Sequence, residues 1–108
     1  MALQMGRLSL EMVEAVKDLV PRIRRQDRNL ADQLTRAATS VVLNIAEGDA
    51  TKDGNQRLRF GTAAGSASES LAALRVAIAW GYIGPRDADA AVSLLRRILA
   101  GLWKLRRS

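Results

Sequence analysis

Residues 60–78 read FGTAAGSASESLAALRVAI, and this segment has the clearest helical pattern in the chain. Its apolar positions recur at intervals of four, three, four, three and four residues, which is the spacing of a buried seam on a bundle helix. The seam comprises Phe60, Ala64, Ala67, Leu71, Leu74 and Ile78. It predicts a helix over about Gly54 to Trp80 that is ended by Gly81 and followed by a turn at residues 82–84.

The preceding segment carries a second helical stripe. Its members are Leu30, Leu34, Ala37 or Ala38, Val41 and Ile45. We predict a helix over about Asn29 to Glu47, with Asn29 as its N-cap and Gly48 ending it in the left-handed conformation. A loop follows at residues 49–53, in which Asp53 could cap the next helix.

The outer segments predict two further helices. The first runs from about Ser9, a possible N-cap, to Arg25, and Pro21 should kink or break it. The last starts at Pro85 and runs to about Leu105. Their seams are Met12, Val16, Leu19 and Ile23 in the first, and Ala88, Val92, Leu95, Leu99 and Leu102 in the last.

Four helices with short connections predict an all-α protein. We expect an antiparallel up-down-up-down four-helix bundle forming a single domain over residues 1–108. A three-helix bundle with a detached first helix is the alternative. The last helix has a second apolar stripe (Leu94, Ile98 and Leu105), and Val42 and Leu43 widen the arc of the second. This surplus favours a homo-oligomer, with a wide core contact as the alternative reading.

The composition excludes several function classes. The chain has no Cys and no His, so disulfides, thiolate nucleophiles, imidazole bases and the usual zinc ligands are all absent. We therefore expect no enzyme activity, no cofactor and no metal. Arg7 interrupts any early apolar run, and the uncharged stretches at 37–46 and 76–85 are too short to span a bilayer. We predict a cytoplasmic protein with no membrane partner.

The charge points to a polyanion. Lys and Arg total 17 against 11 Asp and Glu, a net charge of +6, and 14 of the 17 are Arg, whose planar fork suits phosphate. A charge that serves only solubility is the alternative. An antiparallel bundle gathers one basic set at one end, partly offset by acidic residues, with Trp103 close by. These candidate nucleic-acid-binding residues are Arg7, Lys52, Arg57, Arg59, Lys104, Arg106 and Arg107.

Polar residues also share helix faces. The first set is Arg36, Ser40, Asn44 and Glu47, and the second is Ser66 and Glu69. We predict a structural network in which Arg36 pairs with Glu69 or Glu47 and Asn44 bonds to backbone near Gly48. A ligand or nucleic-acid contact is the alternative. A Glu47–Glu69 acid/base or metal pair is a poor third without His.

The middle of the chain resembles a known family. QLTRAATS at 33–40, NIAEG at 44–48, GSASE at 65–69 and GYI at 81–83 resemble, in order and spacing, the small proteins encoded in intervening sequences of 23S ribosomal RNA genes. The likeness covers Gln33 to Ile83. Where the family often has Phe-Pro and Tyr-Gly, this chain has Val20-Pro21 and residues 28–30.

The resemblance implies an antiparallel four-helix bundle assembled as a ring, typically a pentamer. A related branch, the accessory variability determinant of diversity-generating retroelements, is a basic pentamer that associates with a reverse transcriptase and nucleic acid. The leading hypothesis is therefore a non-enzymatic, homo-oligomeric module that contacts RNA or DNA through its Arg/Lys-rich surface. The alternatives are an accessory protein that binds a protein partner such as a reverse transcriptase, and a scaffold with no nucleic-acid role.

Overall fold

Five helices form the regular structure in the computed structural model, which describes residues 2–51 and 54–107. They are α1 (Ala2–Lys17), α2 (Val20–Gln26), α3 (Arg28–Asp49), α4 (Gly54–Ala79) and α5 (Pro85–Arg107). These described residues contain no strand, so the predicted all-α class is confirmed. Asp53, the predicted cap of α4, lies outside them.

The predicted first helix is two helices in the structure. α1 begins at Ala2 rather than at Ser9, which is buried and donates its hydroxyl to the Gly6 carbonyl at 2.8 Å. The break falls at residues 18–19, just before Pro21. Pro21 therefore lies in the first turn of α2, where its missing N–H leaves no helical bond unmade.

The boundaries of α3 differ from the prediction at both ends. Asp27, not Asn29, is the N-cap, and its carboxylate accepts the Leu30 N–H at 2.9 Å. Gly48 does not adopt the left-handed conformation, because α3 continues through it to Asp49. By contrast, Gly81 follows α4 with φ +78, and α5 begins at Pro85, both as predicted.

The predicted seams form the core. Every seam residue is buried except four that are half-buried and pack against the core: Ala64, Ile78, Val92 and Leu99. In the second stripe of α5, Ile98 is buried, and Leu94 and Leu105 pack against the same core. The additional apolar residues of α5 therefore pack against the core of the same chain, whereas Leu43 remains 57% exposed.

Helix packing fixes the order of neighbours. α3 packs on α4, α4 on α5, α1 on both α5 and α3, and α2 on α3. Two hydrogen bonds, from Gln56 Nε2 to the Gly48 carbonyl at 2.9 Å and between the Ser40 and Ser66 hydroxyls at 2.7 Å, show that α3 and α4 run antiparallel. The structure measures 43 × 22 × 18 Å. None of the described helices is long and apolar enough to cross a membrane.

Candidate nucleic-acid interface

One end of the structure collects termini from four helices. The C-terminal turn of α3 meets the N-terminal turn of α4 through the Gln56–Gly48 bond. The Met5 side chain lies against Gly101, so the start of α1 meets the last part of α5. Because a short turn at residues 80–84 joins α4 to α5 at the opposite end, the start of α4 and the end of α5 share this one.

The described cations of this end are exposed and come from three helices. We call Arg7, Arg57, Arg59 and Lys104 the basic end. Arg59 Nε lies 3.0 Å from Glu47 Oε2, with both side chains about half exposed. Arg7 and Arg57 make no ion pair within residues 2–51 and 54–107. Lys52 and the side chains of Arg106 and Arg107 lie outside the described part of the chain.

Carboxylates offset only part of this charge. Of the two described there, Glu47 is engaged by Arg59, and the other, Asp49, has its pKa raised by partial desolvation of its carboxyl. Arg57 lines a shallow depression with Leu58, whose side chain is 64% exposed. An exposed guanidinium beside an open, small-residue surface can approach a phosphate without displacing packed groups.

At the opposite end, two arginines form ion pairs with carboxylates. Arg22 Nη2 donates to Asp87 Oδ2 at 3.0 Å, and Arg24 Nη1 donates to Asp32 Oδ1 at 2.7 Å. The Arg22 hydrogen bond, followed by that from the Gly84 N–H, holds the pKa of Asp87 below its ordinary value. Two of the cations there are thus already partnered by carboxylates.

The uncharged members of the predicted polar face form hydrogen bonds with one another. The half-buried hydroxyls of Ser40 and Ser66 share a hydrogen bond, and Asn44 Nδ2 donates to the Ser40 carbonyl at 2.9 Å and to its Oγ at 3.0 Å. Asn44 therefore reaches back one turn instead of bonding near Gly48. The Gly48 carbonyl instead accepts a hydrogen bond from Gln56, a residue that no pattern in the sequence singles out.

The charged members of that face do not pair as predicted. Arg36 and Glu69 are exposed, and Arg36 makes no ion pair among the residues that the structure describes. Glu47 is taken by Arg59. Arg36 instead lines an open polar groove between α3 and the start of α4, where water solvates it and little is gained by pairing. The groove residues are Thr35, Arg36, Thr39, Ser40, Leu43, Asn44, Glu47 and Arg59.

Comparison with known proteins identifies the family. The model of the 23S rRNA-intervening sequence protein family matches residues 1–104. The chain belongs to this family. Among solved structures, it is similar to a protein of unknown function from the S23 ribosomal protein family of Bacteroides thetaiotaomicron VPI-5482, with a TM-score of 0.87. The two are 19% identical, and the match covers 96% of this chain and 99% of the other, which shows a shared fold. No curated protein gives a significant match.

Proposed function

We propose that this protein is a non-enzymatic, homo-oligomeric module that contacts RNA or DNA through its basic end. The main support is that Arg7, Arg57 and Lys104, from three different helices, lie at the same end of the structure with exposed side chains. At the other end, Arg22 and Arg24 are paired with carboxylates. Arg7 and Arg57 make no ion pair with any described residue, and exposed cations of this kind suit a partner that carries many negative charges.

The mechanism of contact is electrostatic. Each guanidinium that meets a phosphate releases condensed counterions, and the entropy of that release drives binding. Arg also offers a planar fork of donors that matches phosphate oxygens. Such contacts position a backbone without reading bases, so we expect little sequence preference.

The proposed architecture is an antiparallel up-down-up-down four-helix bundle in which α1 and α2 together form the first rod. We propose further that copies assemble into a ring, a pentamer by family resemblance. The exposure of Leu43, at 57%, supports a covering copy of the chain on the outer face of α3. A ring would present several basic ends to one strand, which raises avidity.

The remaining proposals follow from composition. Without His or Cys, the chain lacks the usual proton-transfer and nucleophilic groups, which supports a role other than catalysis, without a cofactor. We propose a cytoplasmic location, because a chain without Cys fits a reducing compartment.

Paired charge variants test the proposed interface. Arg7→Gln with Arg57→Gln removes two cations from the basic end, and Arg25→Gln with Arg28→Gln removes two exposed cations from the opposite end. Fluorescence anisotropy with a labelled structured RNA and a single-stranded DNA should show weaker binding for the first variant only. Its log–log salt slope should be shallower by about 1.4–1.8, from two lost phosphate contacts. Equal weakening by the control pair would contradict the assignment of the interface.

The second candidate is an accessory protein whose partner is another protein, such as a reverse transcriptase. The exposed Leu58 beside Arg57 favours it, because a protein partner would bury this apolar side chain while contacting the basic end. It requires that the isolated oligomer bind no nucleic acid while its complex with the partner does. A scaffold without nucleic-acid contact requires that neither binds.

A further inference from the structure

The outer face of α5 combines cations with an exposed indole. No Asp or Glu follows Asp89 in the sequence, whereas Arg96, Arg97 and Lys104 do. All three cations are exposed, and Arg96 and Arg97 make no ion pair among the described residues. The C-terminal part of α5 therefore carries exposed cations and no carboxylate of its own.

Helical geometry places Trp103 within this face. Trp103 follows Arg96 by seven residues, as Lys104 follows Arg97, so each pair points in nearly the same direction about 10.5 Å apart along the axis. The Trp103 side chain is 59% exposed, although its neighbour Leu102 is fully buried. Much of the indole surface thus lies outside the core, in line with Arg96 and beside the line formed by Arg97 and Lys104.

The surface between these residues is open and shallow. A groove on α5 is lined by Val92, Ser93, Arg96, Arg97 and Ala100, with Asp89 at its N-terminal end. Ser93 and Ala100 are short side chains, so a ligand can approach the helix between the cations. The only carboxylate of this groove lies about two turns from Arg97 and about four from Trp103.

We infer that this α5 face binds single-stranded nucleic acid, with an unpaired base stacked on Trp103 and adjacent phosphates held by Arg96 and Arg97. A base in a duplex has its π-face covered by its neighbours, whereas an unpaired base can stack on an aromatic side chain. A duplex would use the cations but gain nothing from the indole. The inference rests on the proposed function and specifies its ligand class and the surface beside the basic end.

Intrinsic fluorescence tests the stacking step, because the chain has two Trp residues. Trp80→Phe leaves Trp103 as the sole reporter, and Trp103→Phe leaves Trp80 as the matched control. Titration with oligothymidylate should quench Trp103 strongly and Trp80 little. Before titration, Trp103 should emit at the long wavelengths of a hydrated indole. A blue-shifted emission would show that the Trp103 indole is covered before any ligand is added, which would overturn the inference.

Affinity measurements test the two contacts separately. Trp103→Ala should weaken oligothymidylate binding about tenfold while leaving duplex binding nearly unchanged. Arg96→Gln with Arg97→Gln should make the single-strand salt slope shallower by about 1.4, whereas the control pair Arg25→Gln with Arg28→Gln should not. Circular dichroism establishes that each variant remains helical.

The outcomes separate this inference from the proposed function. If the wild-type protein binds no nucleic acid at low salt, both fail. If it binds but Trp103→Ala and the Arg96/Arg97 variant match the wild type, only this inference fails. Equal affinity for duplex and single strand would also overturn it.

Discussion

Gly48→Ala should destabilise the protein although it replaces a helical glycine. Gly48 is buried in the last turn of α3, and a Cβ there would meet the Phe60 ring, with Cδ1 at 2.7 Å and Cε1 closer still. Favourable carbon–carbon contacts lie at about 3.5–4.0 Å. Phe60 is only 3% exposed, so its ring is packed among other residues, which must shift if the ring is to move.

The expected magnitude is a difference between two effects. Replacing a helical Gly by Ala gains up to about 1 kcal/mol of helix propensity. Overpacking a well-packed contact costs about 1–3 kcal/mol. The net free energy of unfolding should therefore fall by about 1 kcal/mol. Gly65→Ala in α4 is the matched control, because its Cβ would meet nothing within 4 Å and only the gain of about 1 kcal/mol should remain.

Urea denaturation followed by circular dichroism measures both variants, at one protein concentration because assembly affects apparent stability. The two substitutions are chemically identical, yet their effects should differ in sign and by about 2 kcal/mol. Combining Gly48→Ala with Phe60→Leu should relieve the clash and show a favourable coupling. If Gly48→Ala stabilises as much as Gly65→Ala, the close packing of α3 on α4 at this point is refuted.

Three further predictions follow from single side chains. Asp27→Ala removes the N-cap of α3 and should lower the free energy of unfolding by about 1 kcal/mol in urea titration; no loss would contradict the cap. Asp87→Asn should destabilise at neutral pH, and the difference from wild type should vanish in acid. Because the Arg22 bond lowers the pKa of Asp87, its stabilisation is present above the ordinary pKa and is lost as pH falls through the folded-state pKa. Arg36→Ala should change stability by less than about 0.5 kcal/mol, since the side chain is exposed; a larger loss would indicate a pair formed on assembly.

The sequence predicted the helices through their periodicity. Residues such as Leu34, Leu74 and Leu95 must face the core wherever they recur every three or four positions, and all three are fully buried. The turn between Gly81 and Pro85 was also predictable. Glycine readily adopts the left-handed conformation that ends a helix, and proline favours the first turn of the next one, whatever surrounds them.

The errors arise where local preference is ambiguous. Glycine both ends helices and permits close packing, and only the position of Phe60 in space shows that Gly48 does the second. Asp27 and Asn29 are equally suitable caps, so the sequence alone could not choose between them.

The candidate site was predictable in part. The topology gathers Arg7, Arg57 and Lys104 at one end once the helices are assigned. The partner of Glu47 was not predictable, because exposed ion pairs differ by less than about 1 kcal/mol and depend on side-chain rotamers. The choice of Arg59 over Arg36 is therefore visible only in the structure.

The salt dependence of nucleic-acid binding by the wild-type protein shows whether the protein contacts phosphates through its cations. The measurement is the dissociation constant for a labelled RNA and a single-stranded DNA between about 50 and 200 mM salt. We predict measurable binding at the low end of this range and a steep linear loss of affinity on a log–log plot. Undetectable binding at low salt, or an affinity that salt does not change, would contradict it.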